Sequence, residues 1–299
     1  MRILLLGKNG QVGWELQRAL VPLGELVSLD RAGADGLCGD LAQPEALRAT
    51  VRRVAPDLIV NAAAYTAVDK AETETTLAHT INAVAPGVLA EEARSCNAWL
   101  VHFSTDYVFD GSGSTAWRED APTNPLGAYG RTKRDGEQAI VAAGGRHLIL
   151  RTSWVYAARG GNFAKTMLRL AQERERLSVV DDQFGAPTGA ELLADVTAHA
   201  LRGAMARPEL GGIYHVAAAG ETNWHGYARH VIEVARRGGV PVKVAFERIE
   251  PVPTSAFPLP AARPANSRLD TGRLRAAFGL ALPDWRVGVD RMLAELLPR

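Results

Sequence analysis

A tyrosine and a lysine one helical turn apart, Tyr129 and Lys133, are the residues of this chain whose types and spacing best suit catalysis. Side chains at i and i+4 share one face of a helix, so a lysine ammonium can lie beside the phenol. That charge stabilises the phenolate, and we expect it to lower the tyrosine pKa from its reference value of about 10. The pair would then be a proton donor near neutral pH. An exposed tyrosine and a solvated lysine can also have this spacing by chance. The assignment therefore depends on whether other residues of the chain complete a catalytic site.

A threonine at the end of a predicted strand can act on the same substrate as the Tyr129–Lys133 pair. Residues 98–103 form an apolar run that predicts a strand, and Thr105 follows it. Ligands of open parallel sheets bind at the carboxyl ends of the strands, where the Thr105 hydroxyl could donate to a substrate carbonyl. Residues 110–126, rich in Gly, Ser, Pro and Asn, predict a loop that covers a pocket. Threonine, tyrosine and lysine at one carbonyl, with a nicotinamide opposite, would form a hydride-transfer site.

Three evenly spaced glycines indicate where a dinucleotide would bind. An apolar strand is predicted over residues 2–6, and Gly7, Gly10 and Gly13 lead from it into a helix predicted over residues 11–20. Glycines let the backbone approach a pyrophosphate closely, and the helix N-terminus directs free amides at the phosphates. The spacing Gly-x-x-Gly-x-x-Gly differs from Gly-x-Gly-x-x-Gly, the plainest dinucleotide-binding motif.

An acidic residue after the second predicted strand bears on the choice of cofactor. The strand over residues 25–29 ends at Asp30, about 20 positions after the glycines, where a carboxylate binds a ribose 2′-hydroxyl. Asp30 therefore favours NADH. Arg31 could instead pair with a 2′-phosphate, so NADPH stays open, as does a solvated Asp-Arg pair. Asp40 precedes a helix predicted over residues 45–54 and could cap it or contact an adenine ring.

The order of predicted elements indicates an α/β fold with a doubly wound, Rossmann-like parallel sheet. A third buried strand runs from residue 57 into alanines 62–64, whose small side chains leave room for a cofactor. A helix follows over residues 77–95, with Pro86 as a kink, and a further strand over residues 146–151.

The second half of the chain predicts a smaller, mixed domain. Helices are expected over residues 162–175 and 190–205, and strands over 177–180 and 213–216. We divide the chain into a dinucleotide-binding domain, residues 1–155, and a mainly substrate-binding domain, residues 156–299, with some segments returning to the first sheet. The Pro-rich residues 251–264 are a linker or a lid by composition.

Composition excludes several classes of partner. The chain has 299 residues, with 34 Lys+Arg against 33 Asp+Glu. A formal net charge of +1 gives no global attraction for nucleic acid or an anionic membrane. The two cysteines, Cys38 and Cys96, fit neither a disulfide framework nor a metal site. With no signal peptide or membrane span in the sequence, we expect a cytoplasmic protein.

Six stretches of the sequence resemble the extended short-chain dehydrogenase/reductase family, and within it members that reduce dTDP-linked keto sugars. They are residues 7–16, 61–72, 104–109, 151–156, 184–188 and 263–269. The resemblance implies reduction of the C4 keto group of a dTDP-linked 6-deoxy-4-ketohexose by NADPH or NADH. It makes Tyr129 the proton donor, Lys133 the group that tunes it and holds the nicotinamide ribose, and Thr105 the group that polarises the carbonyl.

The same resemblance assigns the binding residues. The expected cofactor contacts, besides Tyr129 and Lys133, are Gly7, Gly10, Gln11, Val12, Asp30, Asp40, Leu41, Ala64, Tyr65, Thr66 and Phe103. The expected substrate contacts are Thr105, Asp106, Trp154 and Arg263, the last at the diphosphate. Some members of the family bind Mg²⁺ between subunits through acidic residues. This makes Glu15 a candidate ligand and leaves a homodimer as an open alternative. The simpler interpretation of Glu15 is a glutamate in the first turns of a helix, without a metal.

Two other functions stay open from the sequence. A nucleotide-sugar dehydratase or epimerase on the same fold is one, but relatives that dehydrate carry Asp-Glu after the threonine, whereas Asp106 is followed here by Tyr107. A non-catalytic regulatory subunit that binds NADP and a partner protein is the other. Such a subunit would not need Thr105, Tyr129 and Lys133 together.

Overall fold

A six-stranded parallel sheet lies at the centre of the computed structural model, which describes residues 1–297. The strands are β1 (Arg2–Leu6), β2 (Glu25–Leu29), β3 (Leu58–Asn61), β4 (Trp99–Thr105), β5 (His147–Thr152), β6 (Val155–Tyr156), β7 (Leu177–Val180), β8 (Phe184–Gly185), β9 (Thr188–Gly189), β10 (Gly212–His215), β11 (Thr222–Asn223) and β12 (Ile249–Val252). The helices are α1 (Gln11–Leu20), α2 (Pro44–Val54), α3 (Thr75–His79), α4 (Ala85–Ser95), α5 (Ala128–Ala143), α6 (Phe163–Glu173), α7 (Ala190–Ala206), α8 (Trp224–Arg237), α9 (Gly272–Phe278) and α10 (Trp285–Leu296).

The central sheet has the order β2-β1-β3-β4-β5-β10, and all neighbouring strands are parallel. From β1 the chain first moves outward to β2 and then crosses back to β3, so the strand order reverses between β1 and β3. Ligands of such sheets bind at this reversal, beside the carboxyl ends of the strands. The predicted doubly wound, Rossmann-like sheet is confirmed.

Both faces of the sheet are covered by helices, as the apolar runs of its strands require. One face packs against α1 and α7, where Leu16 and Leu201 are fully buried. The other packs against α2, α4 and α5, with Leu47, Leu89 and Ile140 in its core. The predicted bounds of β1, β2 and α1 are confirmed, α2 begins one residue earlier than predicted, and β5 begins and ends one residue later.

A π-helical turn, Thr80–Val84, joins α3 to α4 and ends just before Pro86. Proline has no N–H and cannot donate to the carbonyl of Asn82, four residues earlier. That carbonyl lies against α5 instead, since a Cβ on Gly136 would come within 2.1 Å of its oxygen. The absence of a side chain at residue 136 therefore lets α5 approach the bent helix closely.

The chain beyond residue 155 has its own hydrophobic cluster, formed by α6, α8 and α10 around residues such as Leu168, Val231 and Leu293. Strands β7 and β12 pair in parallel outside the central sheet, whereas β10 adds to β5 at the sheet edge. The division of the chain at residue 155 stays a prediction. Among residues 1–297, no helix has the length and apolar character needed to cross a membrane.

Candidate active site

Two glycines shape the turn between β1 and α1. Gly7 adopts a φ of 88°, and a Cβ there would lie 2.8 Å from the backbone nitrogen of Ala63. A Cβ on Gly13 would lie 2.0 Å from the carbonyl oxygen of Gly7, so α1 can start against the turn only without a side chain at this position. No described side chain caps α1, which leaves the first amides, such as those of Gln11 and Val12, available to an anion. The turn fits a pyrophosphate.

The carboxylate of Asp30 lies beside this turn at the end of β2. It accepts a hydrogen bond from Asn9 Nδ2 at 2.6 Å and lies 4.0 Å from the Lys8 ammonium. Arg31 is exposed next to it. The carboxylate suits a ribose hydroxyl, whereas Lys8 and Arg31 suit a 2′-phosphate. Lys8 is a candidate cofactor contact that the sequence reasoning missed.

The residues predicted to contact the adenine have unequal access. The carboxylate of Asp40 accepts a hydrogen bond from the Ala42 amide at 3.0 Å, so it organises its own loop. Leu41 is only 4% exposed and packs in the hydrophobic cluster of α2. Asp40 is partly exposed at the sheet edge, whereas the Leu41 side chain belongs to the core.

Asn82 fixes the segment predicted to meet the nicotinamide. Ala64, Tyr65 and Thr66 follow β3, at the reversal of strand order. The amide of Tyr65 donates to Asn82 Oδ1 at 2.9 Å, and Asn82 Nδ2 donates to the Tyr65 carbonyl at 3.1 Å and to Thr132 Oγ1 at 3.2 Å. Fully buried Asn82 thus ties this segment to α5. The sequence reasoning missed Asn82, although an asparagine within an alanine-rich helix is a signal of a buried polar contact.

Helix α5 begins one residue before Tyr129. The carboxylate of Glu72 accepts a hydrogen bond from the Ala128 amide at 2.7 Å, where the helix dipole favours a negative charge. Tyr129 is partly buried, and its ring meets that of Tyr107 edge-on, with centroids 5.5 Å apart. Lys133 lies one turn further along and is 2% exposed.

The phenol of Tyr129 does not have the lowered pKa expected from the sequence. Burial raises its pKa to about 12, and a hydrogen bond with Thr105 only partly opposes the rise. The expectation was wrong because burial of the phenol itself dominates its pKa. Burial also lowers the pKa of Lys133 to about 8. A protonated phenol is nevertheless the form that a proton donor requires.

Thr105 ends β4, and its hydroxyl is already hydrogen-bonded. It donates to Asp106 Oδ1 at 3.1 Å and accepts from the Tyr107 amide at 3.2 Å. Asp106 is 2% exposed, and burial raises the pKa of its carboxyl to about 6. Its Oδ2 accepts no hydrogen bond of normal geometry from the described residues, although the Ser267 hydroxyl is near enough to oppose part of the rise in pKa. A buried acceptor without a donor costs about 1–3 kcal/mol, so a hydroxyl of a bound sugar would relieve it.

Further unpartnered polar atoms lie at the same place. Within the described chain, the hydroxyls of Ser104, Thr152 and Ser153 are buried without a hydrogen-bond partner. Ser104 and Thr152 belong to the ends of the paired strands β4 and β5, and Ser153 follows directly. Native proteins satisfy most buried polar groups, and exceptions call for a ligand or a water. This concentration marks the carboxyl edge of β4 and β5 as a site for a polar ligand.

A buried histidine that the sequence reasoning missed contacts Lys133, and a buried asparagine, also missed, contacts that histidine. The Nζ of Lys133 lies 3.1 Å from His102 Nε2 and donates to the carbonyl of Phe103 at 2.6 Å. His102 Nδ1 in turn lies 3.1 Å from Asn61 Nδ2. Asn61 and His102 are each 1% exposed. The sequence feature that could have identified Asn61 and His102 is a polar residue within an otherwise apolar strand, because buried polar groups need hydrogen-bond partners.

A buried ion pair joins α5 to β5. Arg151 donates to both carboxylate oxygens of Glu137, at 2.9 and 2.7 Å, and each residue is 3% exposed. Glu137 lies one helical turn beyond Lys133. Removal of one partner of such a pair leaves an uncompensated buried charge, which costs about 3–5 kcal/mol. The pair therefore fixes the helix that carries the catalytic candidates.

Trp154 follows β5 with a φ of 51°. Its ring stacks on Trp224, with centroids 3.7 Å apart, and lies so close to Gly185 that a Cβ there would be 3.0 Å from it. Part of the indole is therefore packed against protein, and the ring edge and remaining surface are what a sugar could reach. Its contact with the sugar stays a prediction.

Arg263 forms a salt bridge instead of lying free. Its Nη2 donates to Asp69 Oδ2 at 2.8 Å, and Asp69 Oδ1 accepts from the Ala261 amide at 3.2 Å. The Pro-rich residues 251–264 begin in β12 and are tied by this contact to the segment after β3. The proposed diphosphate contact of Arg263, like the role of this segment as linker or lid, stays a prediction.

Glu15 lies away from these residues, in the wall of a cavity of about 190 Å³ between α1, α7 and α10. Burial and the nearby carboxylates of Glu191 and Glu295 raise the pKa of Glu15. Arg18 lies 3.7 Å from it, and Arg291 pairs with Glu191 at 3.1 Å. In the described part of the chain no three His, Cys, Asp or Glu residues are grouped so that they could hold a metal ion. The role of Glu15 in binding Mg²⁺ stays a prediction.

Comparisons with known proteins agree with this geometry. The chain matches the family model "RmlD substrate binding domain" over residues 1–297. It is 57% identical to the dTDP-4-dehydrorhamnose reductase of Shigella flexneri and 56% identical to that of Escherichia coli (strain K12), covering 99% of this chain and 98% of each relative.

Solved structures give the same result at lower identity. A dTDP-4-dehydrorhamnose reductase from Clostridium acetobutylicum ATCC 824 superimposes with a TM-score of 0.88 at 34% identity, covering 99% of both chains. The reductase of Bacillus anthracis str. Ames, solved in complex with NADP, gives a TM-score of 0.86 at 34% identity, over 98% of this chain and 99% of the other. The similarity extends over the full described length, and the chain therefore belongs to the family of the RmlD substrate binding domain.

Proposed function

We propose that this protein reduces the C4 keto group of dTDP-4-dehydro-β-L-rhamnose to give dTDP-L-rhamnose, with NADPH or NADH as reductant. The observation that carries the proposal is that Tyr129 is hydrogen-bonded to Thr105 at the end of β4, while Lys133 binds the carbonyl of Phe103 on the same strand, in a sheet whose first strand ends in the glycine turn. The choice of sugar is supported by relatives up to 57% identical that bear the name dTDP-4-dehydrorhamnose reductase.

The residues of the chain divide the reaction between them. A bound nicotinamide cofactor supplies the hydride. Tyr129, whose pKa of about 12 keeps it protonated at neutral pH, donates its proton to the oxygen on C4 as that oxygen gains negative charge. Thr105 turns its hydroxyl from Asp106 to the same oxygen and stabilises the charge. An ammonium on Lys133 stabilises the phenolate that Tyr129 becomes.

Asp106 is proposed to bind a sugar hydroxyl through its unpartnered Oδ2, and Trp154 to pack against the deoxysugar. Arg263 would reach the diphosphate by leaving Asp69, to which it is bound at a partly exposed position. Residues 156–299, which supply Arg263, would be the mainly substrate-binding domain, and Trp154 lies just before it. Pro298 and Arg299 lie outside the described residues.

The cofactor assignment keeps both nicotinamide dinucleotides. The reductase of Bacillus anthracis was solved with NADP, and the cations Lys8 and Arg31 provide the charge that a 2′-phosphate needs. Asp30 provides the acceptor that NADH needs. A homodimer with Mg²⁺ bound at Glu15, and a cytoplasmic location, remain predictions of the family resemblance and the sequence.

A coupled assay tests the function. Purified protein should oxidise NADPH or NADH when a dTDP-linked 4-keto-6-deoxyhexose is present. The matched dTDP-sugar with a hydroxyl at C4 should give no oxidation, because it offers no carbonyl. Oxidation that does not depend on the keto sugar, or conversion of a nucleotide sugar without net consumption of cofactor, would contradict the proposal. The second result would indicate a dehydratase or an epimerase.

A further inference from the structure

The hydrogen bonds of Asn61 determine how its side-chain amide is oriented. Asn61 pairs in register with His102 across β3 and β4. Its Oδ1 accepts from the Ala63 amide at 3.1 Å, and its Nδ2 lies 3.1 Å from His102 Nδ1. A backbone amide can only donate, so the reversed amide would place two donors against each other at Ala63. The NH₂ group of Asn61 therefore points at His102.

This orientation selects the tautomer of His102. Because Asn61 donates to Nδ1, that ring nitrogen has to be an acceptor. A neutral imidazole with an acceptor at Nδ1 carries its proton on Nε2. His102 is 1% exposed, and burial lowers its pKa well below the ordinary value, so the ring is neutral.

The tautomer of His102 determines which protonation state of Lys133 can bind to it. The Nε2–H of His102 faces Nζ at 3.1 Å, and an ammonium has three donors and no acceptor. Only the neutral amine can accept this hydrogen bond. One of its two N–H groups donates to Phe103 at 2.6 Å, and the other remains for the site.

The groups packed around Lys133 do not prevent it from being a neutral amine that accepts from His102. On α5, the carboxylate of Glu137 is bound by Arg151 of β5 through both oxygens. Asp106, after β4, is bound by Thr105, and its own pKa is raised to about 6. Tyr129 is protonated at neutral pH, and Asn61 on β3 carries no charge. Of these groups, Glu137 alone favours an ammonium at residue 133, against the larger effect of burial.

We propose that His102 is a positioning residue that controls the protonation of Lys133: Asn61 holds it as the Nε2–H tautomer, which donates to the Lys133 amine and opposes its protonation. The proposal rests on the proposed function, in which the Lys133 ammonium assists Tyr129. The lowered pKa of about 8 at Lys133 agrees with it. Protonation of Lys133 breaks the hydrogen bond from His102, because an ammonium cannot accept it. The ammonium that the reaction uses is present below about pH 8 and is lost above it, so reduction should weaken as the pH rises through about 8.

Two substitutions should shift the fall of kcat/KM at high pH, here called the alkaline limb, by different means. In Asn61→Asp the carboxylate only accepts, so it bonds the Ala63 amide and also forces the His102 proton onto Nδ1. Nε2 then accepts from a Lys133 ammonium. In His102→Gln the side-chain carbonyl can accept from the same ammonium without adding a charge. We expect the limb in kcat/KM to move to higher pH by about one unit in both variants.

A third variant separates this role from a loss of packing. His215 is also buried, on β10, and its Nδ1 faces the Trp117 carbonyl rather than Lys133. His215→Gln removes a buried histidine as His102→Gln does, and its alkaline limb should stay at the wild-type pH. A limb that stays in both site variants, or that moves equally in His215→Gln, would overturn the proposal.

Nitrogen NMR of the wild-type protein tests the tautomer without any substitution. The His102 ring, assigned by through-bond correlation to its own backbone amide, should show a protonated Nε2 and an unprotonated Nδ1. The reverse assignment would refute the proposal even if the variants failed to fold. Because this measurement needs no substrate, it also distinguishes failure of this proposal from failure of the proposed function.

Discussion

The proposed cofactor edge and the proposed catalytic edge of one sheet are built by different physical means. The cofactor edge, residues 7–13 with Asp30, is shaped by backbone: Gly7 and Gly13 stand where a Cβ would clash, and helix amides face outward. The catalytic edge, formed by the ends of β3 and β4 and one face of α5, is made of buried side chains. Lys133 has its amine held between His102 and Phe103.

This difference explains what each edge can do. Phosphates are bound by backbone amides and a helix dipole, which need close approach and little chemistry. Proton transfer needs groups whose pKa is shifted, and burial supplies the shift: the pKa of Tyr129 rises to about 12 and that of Lys133 falls to about 8. Substitutions at the two edges should therefore separate binding from turnover.

The largest effect should come from Tyr129→Phe. Loss of the phenolic proton should lower kcat by about 10²–10⁴-fold while the Kd of the cofactor stays unchanged, because general acid catalysis typically contributes this factor. Steady-state kinetics and a fluorescence titration measure the two quantities. Tyr214→Phe is a matched control, since the Tyr214 hydroxyl donates to the Leu210 carbonyl at 2.8 Å and lies outside the site. Equal loss of binding and turnover in Tyr129→Phe would break the comparison.

A smaller effect, of the opposite kind, is expected for Gly13→Ala. Its Cβ would lie 2.0 Å from the Gly7 carbonyl oxygen, so the glycine turn has to move. Overpacking of this kind costs about 1–3 kcal/mol. We expect the cofactor Kd to rise about tenfold or more, with a lower free energy of unfolding. In the control Gly161→Ala the new Cβ has no heavy atom within 4 Å. An unchanged Kd in Gly13→Ala would show that the turn does not hold the cofactor.

The smallest effect should be a change of preference in Asp30→Asn. The carboxylate favours a ribose hydroxyl and repels a 2′-phosphate, so its loss should shift the ratio of kcat/KM for NADPH over NADH upward by about tenfold, the equivalent of one charge-assisted hydrogen bond. Lys8→Ala, which removes the ammonium 4.0 Å from this carboxylate, should shift the ratio the other way. Ratios that move together in the two variants would contradict this assignment.

Much of the fold could be predicted from the sequence because the signals are local. The apolar run of β1, its glycine turn and the periodicity of α1 each lie within a few residues, and the predicted bounds are those observed. Thr105, Tyr129 and Lys133 could also be selected as candidates from the sequence, since a strand end and an i, i+4 spacing predict their positions without knowledge of the tertiary structure.

The residues that contact these candidates could not be predicted from the sequence in the same way. His102 meets Asn61 only because β3 and β4 pair in one register, and it meets Lys133 only because α5 packs across β4. The direction of the Tyr129 pKa shift was wrong for the same reason, since it depends on burial that the spacing of Tyr and Lys does not reveal. The sequence suggests candidate reacting groups more readily than the environment that sets their protonation.

Transfer of deuterium from a reduced cofactor that carries two deuterium atoms on C4 of its nicotinamide tests the central claim most directly. With the dTDP-linked 4-keto-6-deoxyhexose, the wild-type protein should place one deuterium on C4 of the sugar for each cofactor oxidised, and Tyr129→Phe should do so far more slowly. Mass spectrometry and NMR of the product locate the label. Deuterium at C6, or a product formed without label, would contradict a reductase in which Tyr129 protonates the C4 oxygen.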